Sequence, residues 1–229
     1  TTFLTKVTAP DKMTADRFGT TLSQGKDFLA VGSPNSSPNG VEKAGSVYLY
    51  RTESNGTTTF KSKLTAPEIS ESAKFGSTIV QFGEILAVGT PFADPDGILD
   101  AGVVYLYEME HNGTVHYLNK IVAPEKSASD KFGYSLAQFG DLLVVGAIGH
   151  SPNGQTNAGG VYLYRLENNG NAIFIAKVTA PEIKPTDKFG RSVSLFGRIL
   201  AVGAFGHSPN GVNNAGAAYL YQIESNHSV

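Results

Sequence analysis

Two histidines stand in nearly identical loops and could serve as metal ligands or as catalytic bases. His150 lies in GHSPNGQTNAG, and His207 lies in GHSPNGVNNAG, 57 residues further along the chain. Imidazole suits either task, but a zinc site needs three or four ligands. No third histidine or carboxylate accompanies the pair, so a polar turn is the favoured interpretation. Ligand binding by these histidines and by Asn153 and Asn210 of the same turns is the alternative.

Four basic residues could bind an anion, because one of them precedes each Phe-Gly dipeptide of the chain. Acidic residues stand directly beside three of these four positions, so local ion pairs are the favoured interpretation and an anion site is the alternative. Tyr134 and Phe205 are the candidate aromatic platforms for a ligand in a chain without tryptophan. The basic residues are Arg17, Lys74, Lys131 and Lys188, and the acidic neighbours are Asp16, Asp130 and Asp187.

A cation site is a weaker possibility in the segment DPDGILD, which offers Asp94, Asp96 and Asp100. Calcium takes six to eight oxygen ligands, and three carboxylates in a turn are more typical of a solvated loop. The sequence contains no HExxH, no phosphate-binding P-loop, no supported Ser–His–Asp order and no cysteine. We therefore predict a protein that is not an enzyme.

Composition excludes further classes of function. The 229 residues carry a formal net charge of −2 with interspersed signs, which gives no footprint for nucleic acid. No apolar run approaches the roughly 20 residues of a membrane span. The sequence begins at Thr1 without a methionine or a signal peptide, so we expect a processed or trimmed chain.

An internal repeat sets the positions of all these candidates. The Phe-Gly dipeptides recur every 57 residues, at Phe18, Phe75, Phe132 and Phe189. The same interval links FLAVGSP, ILAVGTP, LLVVGAI and ILAVGAF, and it links AGSVYLY, AGVVYLY, AGGVYLY and AGAAYLY. The repeats span about 3–59, 60–116, 117–173 and 174–229.

Each repeat predicts four short strands and no helix. Runs of β-branched and aromatic residues alternate with Gly, Pro, Asn, Asp and Ser, which is typical of strands joined by tight turns. VYLYRTESNGTTTFKSKL predicts a hairpin at Asn-Gly, and TIVQFGEILAVG predicts a tighter one near Phe82-Gly83. Four strands at a fixed period near 50 residues indicate the blades of an all-β propeller. The whole chain is thus predicted to be one four-bladed domain.

Phe-Gly followed by Val-Gly-Ser-Pro and Gly-x-Val-Tyr-Leu-Tyr resembles the FG-GAP repeat of integrin α-subunit propellers and their microbial relatives. The resemblance covers essentially the whole chain. It implies that the Phe-Gly strand is innermost and the Lys-x-Thr-Ala-Pro strand outermost. Residues 3–9 would then be the outermost strand of the fourth blade, beside Tyr219-Leu220-Tyr221, and would close the ring. Such repeats carry an Asp-rich calcium loop between the first two strands, which is missing in all four repeats here, so no cofactor is expected.

The resulting prediction is a non-catalytic binding or adhesion module, extracellular or on the cell surface, with a protein or glycan partner. The loops near residues 33–44, 90–101, 147–158 and 204–215 vary while the strands stay fixed, which favours them as the binding face. A structural subunit of an extracellular homo-oligomer or filament is the second hypothesis, and an enzyme with a site at the channel mouth is the third. Asn55, Asn112 and Asn226 begin glycosylation sequons, and Asn35 begins a fourth that is followed by an unfavourable proline.

Overall fold

The computed structural model describes residues 2–167 and 169–224 and has four antiparallel sheets, one per repeat. Sheet 1 contains β1 (Thr21–Gln24), β2 (Phe28–Ser33), β3 (Ser46–Thr52) and β4 (Thr58–Leu64). Sheet 2 contains β5 (Thr78–Phe82), β6 (Ile85–Thr90), β7 (Val103–Met109) and β8 (Val115–Ile121). Sheet 3 contains β9 (Phe132–Phe139), β10 (Leu142–Ala147), β11 (Gly160–Leu166) and β12 (Ala172–Val178). Sheet 4 contains β13 (Phe189–Phe196), β14 (Ile199–Ala204) and β15 (Ala217–Gln222).

The strands follow one another in each sheet in chain order, as the predicted hairpins require. Phe82 pairs with Ile85 at the tight turn, where Gly83 has a φ of 60°. Thr52 pairs with Thr58 across the predicted Asn-Gly turn. The all-β prediction and both hairpins are confirmed. The helical segments of the described chain are four three-residue 3₁₀ turns, and none of its helices is long and apolar enough to cross a membrane.

The 3₁₀ turns occupy the Ser-Pro-Asn-Gly and Asp-Pro-Asp-Gly segments between the second and third strands of each sheet. In each turn the residue after proline adopts a left-handed φ between 51° and 55°, at Asn39, Asp96, Asn153 and Asn210. Asparagine and aspartate tolerate this region better than other side chains with a Cβ atom. Asn153 and Asn210 therefore have a backbone role in these turns.

Neighbouring sheets are joined by the two dipeptides that define the repeat. The amide of Phe75 donates to the carbonyl of Ala44 at 2.8 Å, and the amide of Phe132 donates to that of Ala101 at 2.9 Å. A Cβ atom on Gly45 would lie 2.2 Å from the carbonyl oxygen of Phe75, so only glycine permits this approach. Phe-Gly of one repeat thus docks on Ala-Gly of the preceding repeat.

Hydrophobic clusters lie between consecutive sheets. One joins sheets 1 and 2, another sheets 2 and 3, and a third sheets 3 and 4. A smaller cluster covers the outer side of sheet 1, where Ala9 packs with Val31, Tyr48 and Tyr50. Among the described residues no cluster joins sheet 4 to sheet 1. The arrangement is therefore propeller-like, and closure of the ring is not observed.

The fourth sheet corrects the prediction of four strands in every blade, because it has three. Residues 2–9 form no strand and pack on sheet 1 instead, where the carbonyl of Thr8 accepts a hydrogen bond from Tyr50 Oη at 2.9 Å. The segment keeps only its contacts with sheet 1, because no hydrophobic cluster among the described residues brings sheet 4 against it. The edge of β15 is left without an outer strand among the described residues.

Candidate ligand-binding cleft

The first strands of all four sheets line a cleft of about 700 Å³. Thr21, Thr78, Ser135 and Ser192 belong to these strands and contribute hydroxyl groups, and Phe92 and Pro91 extend the wall from the loop after β6. Three of these hydroxyls also join neighbouring sheets. Thr21 donates to the carbonyl of Gly76 at 2.8 Å, Thr78 to that of Gly133 at 2.8 Å and Ser135 to that of Gly190 at 2.7 Å. The cleft therefore has a wall fixed by contacts between the sheets.

A backbone turn places the side chains at the mouth of this cleft. The basic residue before each Phe-Gly adopts a left-handed φ, 58° at Lys74 and 53° at Lys188. Its carbonyl accepts a hydrogen bond from the amide three residues on, as Lys131 does from Tyr134 at 3.2 Å. The residue directly after Phe-Gly consequently faces the cleft in every sheet, at Thr20, Ser77, Tyr134 and Arg191.

Cations and aromatic rings alternate at the mouth. Lys74 Nζ lies 4.4 Å from the ring centre of Phe92, and Lys131 Nζ lies 5.4 Å from the same ring. The guanidinium of Arg191 lies 4.8 Å from the ring of Tyr134. Each distance is within the roughly 6 Å over which a ring face attracts a cation. The rings hold the cations in place while leaving their charge uncompensated.

The cleft is electropositive, because Lys74 and Arg191 line it and none of the described lining residues is acidic. The prediction of local ion pairs is wrong for this region. Asp130 and Asp187 are buried against histidines, whereas Lys131 and Lys188 lie over the rings of Phe92 and Phe205.

One family model matches four segments of the chain. The model is described as the FG-GAP repeat, and it matches residues 1–50, 58–107, 117–164 and 173–221. The chain belongs to the FG-GAP repeat family. No curated protein shows significant similarity to it. FG-GAP repeats commonly serve as binding or adhesion modules, are generally non-enzymatic and typically occur in extracellular proteins.

Several of the site residues predicted from the FG-GAP repeats lie at or near the cleft. Lys74 and Tyr134 line it directly. Lys131 contacts the lining residue Phe92. Lys188 contacts Phe205, whose ring lies 5.9 Å from the Arg191 guanidinium. Arg17 does not line the cleft, although its backbone makes the same turn.

Sequence reasoning missed Phe92 and Arg191. Arg191 had a signal, because it occupies the same repeat position as Tyr134, directly after Phe-Gly. Phe92 had none, because the other repeats carry Asn35, Gly149 and Gly206 at its position. Its role follows from the path of one loop rather than from the repeat.

His150 and His207 lie away from the cleft, and each contacts a buried aspartate. His150 Nδ1 is 3.5 Å from Asp130, and His207 Nδ1 is 3.2 Å from Asp187. Both rings also contact a tyrosine of their own sheet edge-on, with ring centres 5.9 and 6.1 Å apart. The second repeat has Ala73 and Ala93 at these two positions, and the first repeat has Asp16 with Ser36.

The three aspartates of the second repeat do not come together as ligands. Asp94 accepts a hydrogen bond from the amide of Asp100 at 2.7 Å, and Asp96 pairs with Lys126 at 2.9 Å. Within residues 2–167 and 169–224 no group of three or more His, Cys, Asp or Glu side chains could hold a metal ion. Asp94 stabilises the turn by a hydrogen bond to the backbone, and Asp96 forms an ion pair at its surface.

Two of the sequon asparagines are exposed at the tips of the outer hairpins. Asn55 and Asn112 each accept a hydrogen bond from the amide two residues on, at 2.9 and 2.6 Å, through the side-chain oxygen. Asn35 is half-buried between the second and third strands of sheet 1. Asn226 lies outside the described residues.

Proposed function

We propose that this chain is a non-catalytic extracellular binding module whose cleft binds an anionic group of a protein or glycan partner. The observation that carries the proposal is the cleft lined by the four first strands, with two cations and no acidic lining residue among those described. A carboxylate or sulfate is the ligand chemistry that fits it, because guanidinium groups bind such anions through two parallel hydrogen bonds.

Arg191 is suited to this role by its setting. Its guanidinium stacks on Tyr134 at 4.8 Å, which orients the planar group without using its hydrogen-bond donors. The hydroxyl group of Ser192 lies in the same space and can donate to a ligand, whereas Thr20 and Ser77 donate to the carbonyls of Arg17 and Lys74 at 2.6 and 2.7 Å and present only their oxygen atoms. The arrangement is typical of a site that recognises a charged oxygen atom rather than one that transforms a substrate.

Aromatic faces add a second mode of recognition. Phe92 lines the cleft from the loop after β6, and the half-exposed ring of Phe205, in the loop after β14, lies beside the Arg191 guanidinium. Apolar ring faces can stack on a sugar or a peptide side chain while a lysine holds an acidic group beside them. A rigid set of strands that carries variable loops is a common way to present such a surface. This supports the predicted loops near residues 90–101 and 204–215 as part of the binding face.

An array of sulfated and carboxylated glycans and acidic peptides, probed at low and physiological salt, tests the proposal. We expect binding to a subset of the anionic ligands and weaker binding at higher ionic strength, because the charges are screened. Arg191→Ala should reduce the affinity at least about tenfold, which corresponds to 1.4 kcal/mol. Lys74→Ala should have a similar but smaller effect.

Arg198→Ala is the matched control, because Arg198 is an exposed arginine of the same sheet that does not line the cleft. It should bind as the parent chain does. Equal loss with Arg198→Ala, or no loss with Arg191→Ala, would contradict the assignment of the cleft.

A further inference from the structure

Sheet 4 presents an apolar face that its three counterparts bury. Leu220 of β15 is 75% exposed, whereas Leu49, Leu106 and Leu163 at the same repeat position are fully buried under the next sheet. Ala218 is likewise exposed where the other repeats bury Val47, Val104 and Val161. Sheet 4 also has no outer strand among the described residues.

Residues 2–9 occupy, on sheet 1, the place that an outer strand of a preceding sheet would take. Leu4 packs on Gly56, as Lys61 of β4 packs on Gly113 and Leu118 of β8 packs on Gly170. Thr8 accepts from Tyr50 Oη, and Thr65, which follows β4, accepts from Tyr107 Oη in the same way. The segment thus lies on sheet 1 where β4 lies on sheet 2 and β8 on sheet 3.

The aromatic residues of the two ends are complementary. In the complete sheets the outer strand supplies one ring that packs on two tyrosines, with Phe60 5.6 Å from Tyr50 and Phe174 5.7 Å from Tyr164. Phe3 holds the position of Phe60 and is 81% exposed. Tyr219 and Tyr221 of β15 are the tyrosines at the corresponding positions of sheet 4.

The charges are complementary as well. In each complete sheet a lysine of the outer strand pairs with an acidic residue 52 positions earlier, at 2.6 Å in all three cases: Lys63–Asp11, Lys120–Glu68 and Lys177–Glu125. Glu182 is the acidic residue of sheet 4, and Lys6 is the lysine at the outer-strand position. Lys6 is exposed, and among the described residues the one ion pair of Glu182 is with Lys184 at 3.7 Å.

We infer that a second copy of this chain binds head to tail, with residues 2–7 of one copy as the outer strand of sheet 4 of the other. The partner is a second copy because, among the described residues of one chain, neither strand pairing nor a hydrophobic cluster joins residues 2–9 to sheet 4. Repeat spacing fixes the register, which places Ala218, Leu220 and Tyr221 opposite Val7, Thr5 and Phe3 of the neighbour. Such a heterologous contact gives a closed ring or a filament.

The first test is particle mass by light scattering over a range of concentrations. We expect particles of two or more copies that dissociate on dilution. Leu220→Lys should yield monomers at concentrations where the parent chain is associated, because a charge is then buried at the contact. Leu99→Lys is the matched control, since Leu99 is 61% exposed and belongs to the loop between β6 and β7 rather than to sheet 4 or residues 2–7. A parent chain that is monomeric at every concentration overturns the inference.

The second test uses the absence of cysteine from the chain. Directly opposite residues of an antiparallel pair have Cβ atoms about 4.5–5.5 Å apart, close enough for a disulfide after a small adjustment. A mixture of Thr5→Cys and Leu220→Cys chains should form a disulfide-linked dimer on oxidation, whereas a mixture of Thr5→Cys and Leu99→Cys chains should not.

A chain that carries both Thr5→Cys and Leu220→Cys separates the two possible occupants. Head-to-tail binding predicts disulfides between chains and a ladder of cross-linked species. A disulfide formed within single chains would show that the segment closes its own ring, and it would overturn the inference. The contact lies outside the anion-binding cleft, so failure of either proposal leaves the other intact.

Discussion

Sheets 2 and 4 carry nearly the same residues at the same repeat positions but differ sharply in burial. Leu106 and Leu220 are both central leucines of a third strand, and they are 0% and 75% exposed. The difference lies in the neighbours, since sheet 2 is packed between two sheets and sheet 4 against one. In a repeat array the sequence of a unit thus specifies its possible contacts, and the next unit determines whether they form.

We expect the largest effect from ionisation of the tyrosines of the two sheets at high pH. Burial raises the pKa of Tyr105 and Tyr107 in sheet 2 above the ordinary value of 10.0, and it raises the pKa of Tyr221 in sheet 4 to about 12. The folded chain therefore holds these protons more tightly than the unfolded chain does. Their contribution to stability is fully present below pH 10.0 and is lost as the pH rises through the folded pKa values. We expect complete unfolding in strong alkali.

Tyrosinate absorbance and circular dichroism, recorded along one alkaline titration, check this expectation. The sheet 2 tyrosines should ionise together with the loss of β structure. Tyr107→Phe should move the unfolding midpoint to higher pH, and Tyr221→Phe should move it less. Ionisation of every tyrosine near pH 10 in a folded chain would be the contrary result.

Leucine truncation gives the next largest effect. Leu106→Ala should lower the free energy of unfolding by about 2–5 kcal/mol, because it removes buried apolar surface and leaves a cavity. Leu220→Ala should change it by no more than about 0.5 kcal/mol in dilute monomer, since the side chain is already in solvent. Urea denaturation of the two variants at low protein concentration measures both values. Similar losses would mean that sheet 4 is covered in solution, as head-to-tail binding predicts at higher concentration.

The buried histidine–aspartate pair should have an intermediate effect. Asp130 is 2% exposed, and its carboxylate lies beside His150 in a contact that sheet 2 replaces with Ala73 and Ala93. Asp130→Ala alone should cost about 1–3 kcal/mol, because it removes both the partner of His150 and the acceptor of the Ser127 amide at 2.8 Å. His150→Ala alone should cost less, because Asp130 keeps its hydrogen bond from Ser127. The double variant reproduces the pair of alanines found in sheet 2. It should cost less than the sum of the two single changes in a double-mutant cycle.

Much of the fold follows from the sequence because the repeat is regular. A period of 57 residues with no insertion fixes the strand order of every sheet, the four strands of the first three sheets and the docking of Phe75, Phe132 and Phe189 on the preceding Ala-Gly. The fate of the chain ends does not follow. Repeat spacing gives residues 3–9 two neighbours, β15 and the tyrosines of sheet 1, and it does not reveal that only the contact with sheet 1 forms within the described chain.

The site was less predictable than the fold for a related reason. Repeat positions that vary between units, such as Tyr134 and Arg191, carry the cleft chemistry, and a pattern search emphasises the positions that stay constant. The adjacency of Asp130 and Lys131 in sequence suggested an ion pair. The left-handed turn at Lys131, with a φ of 57°, instead sends the aspartate inward and the lysine toward Phe92. Such divergence depends on backbone geometry that residue types alone do not reveal.

The smallest expected effect concerns the ion pairs at the sheet edges, which distinguish sheet 1 from sheet 4. The hydrogen bond from the Lys63 ammonium, supported by that from Tyr48, holds the pKa of the Asp11 carboxyl below its usual 3.8. A lowered folded pKa contributes stability above pH 3.8, and this stability is lost as the pH falls through the folded value. Asp11→Asn should therefore lower the free energy of unfolding by less than about 1 kcal/mol at neutral pH, as is usual for exposed pairs, and should not change it in strong acid.

Glu182→Gln, which alters the corresponding carboxylate of sheet 4, should leave the stability of the monomer unchanged at both pH values. Thermal unfolding at the two pH values measures both variants, and an equal cost for both in dilute solution would show that sheet 4 already holds a lysine in the outer-strand position.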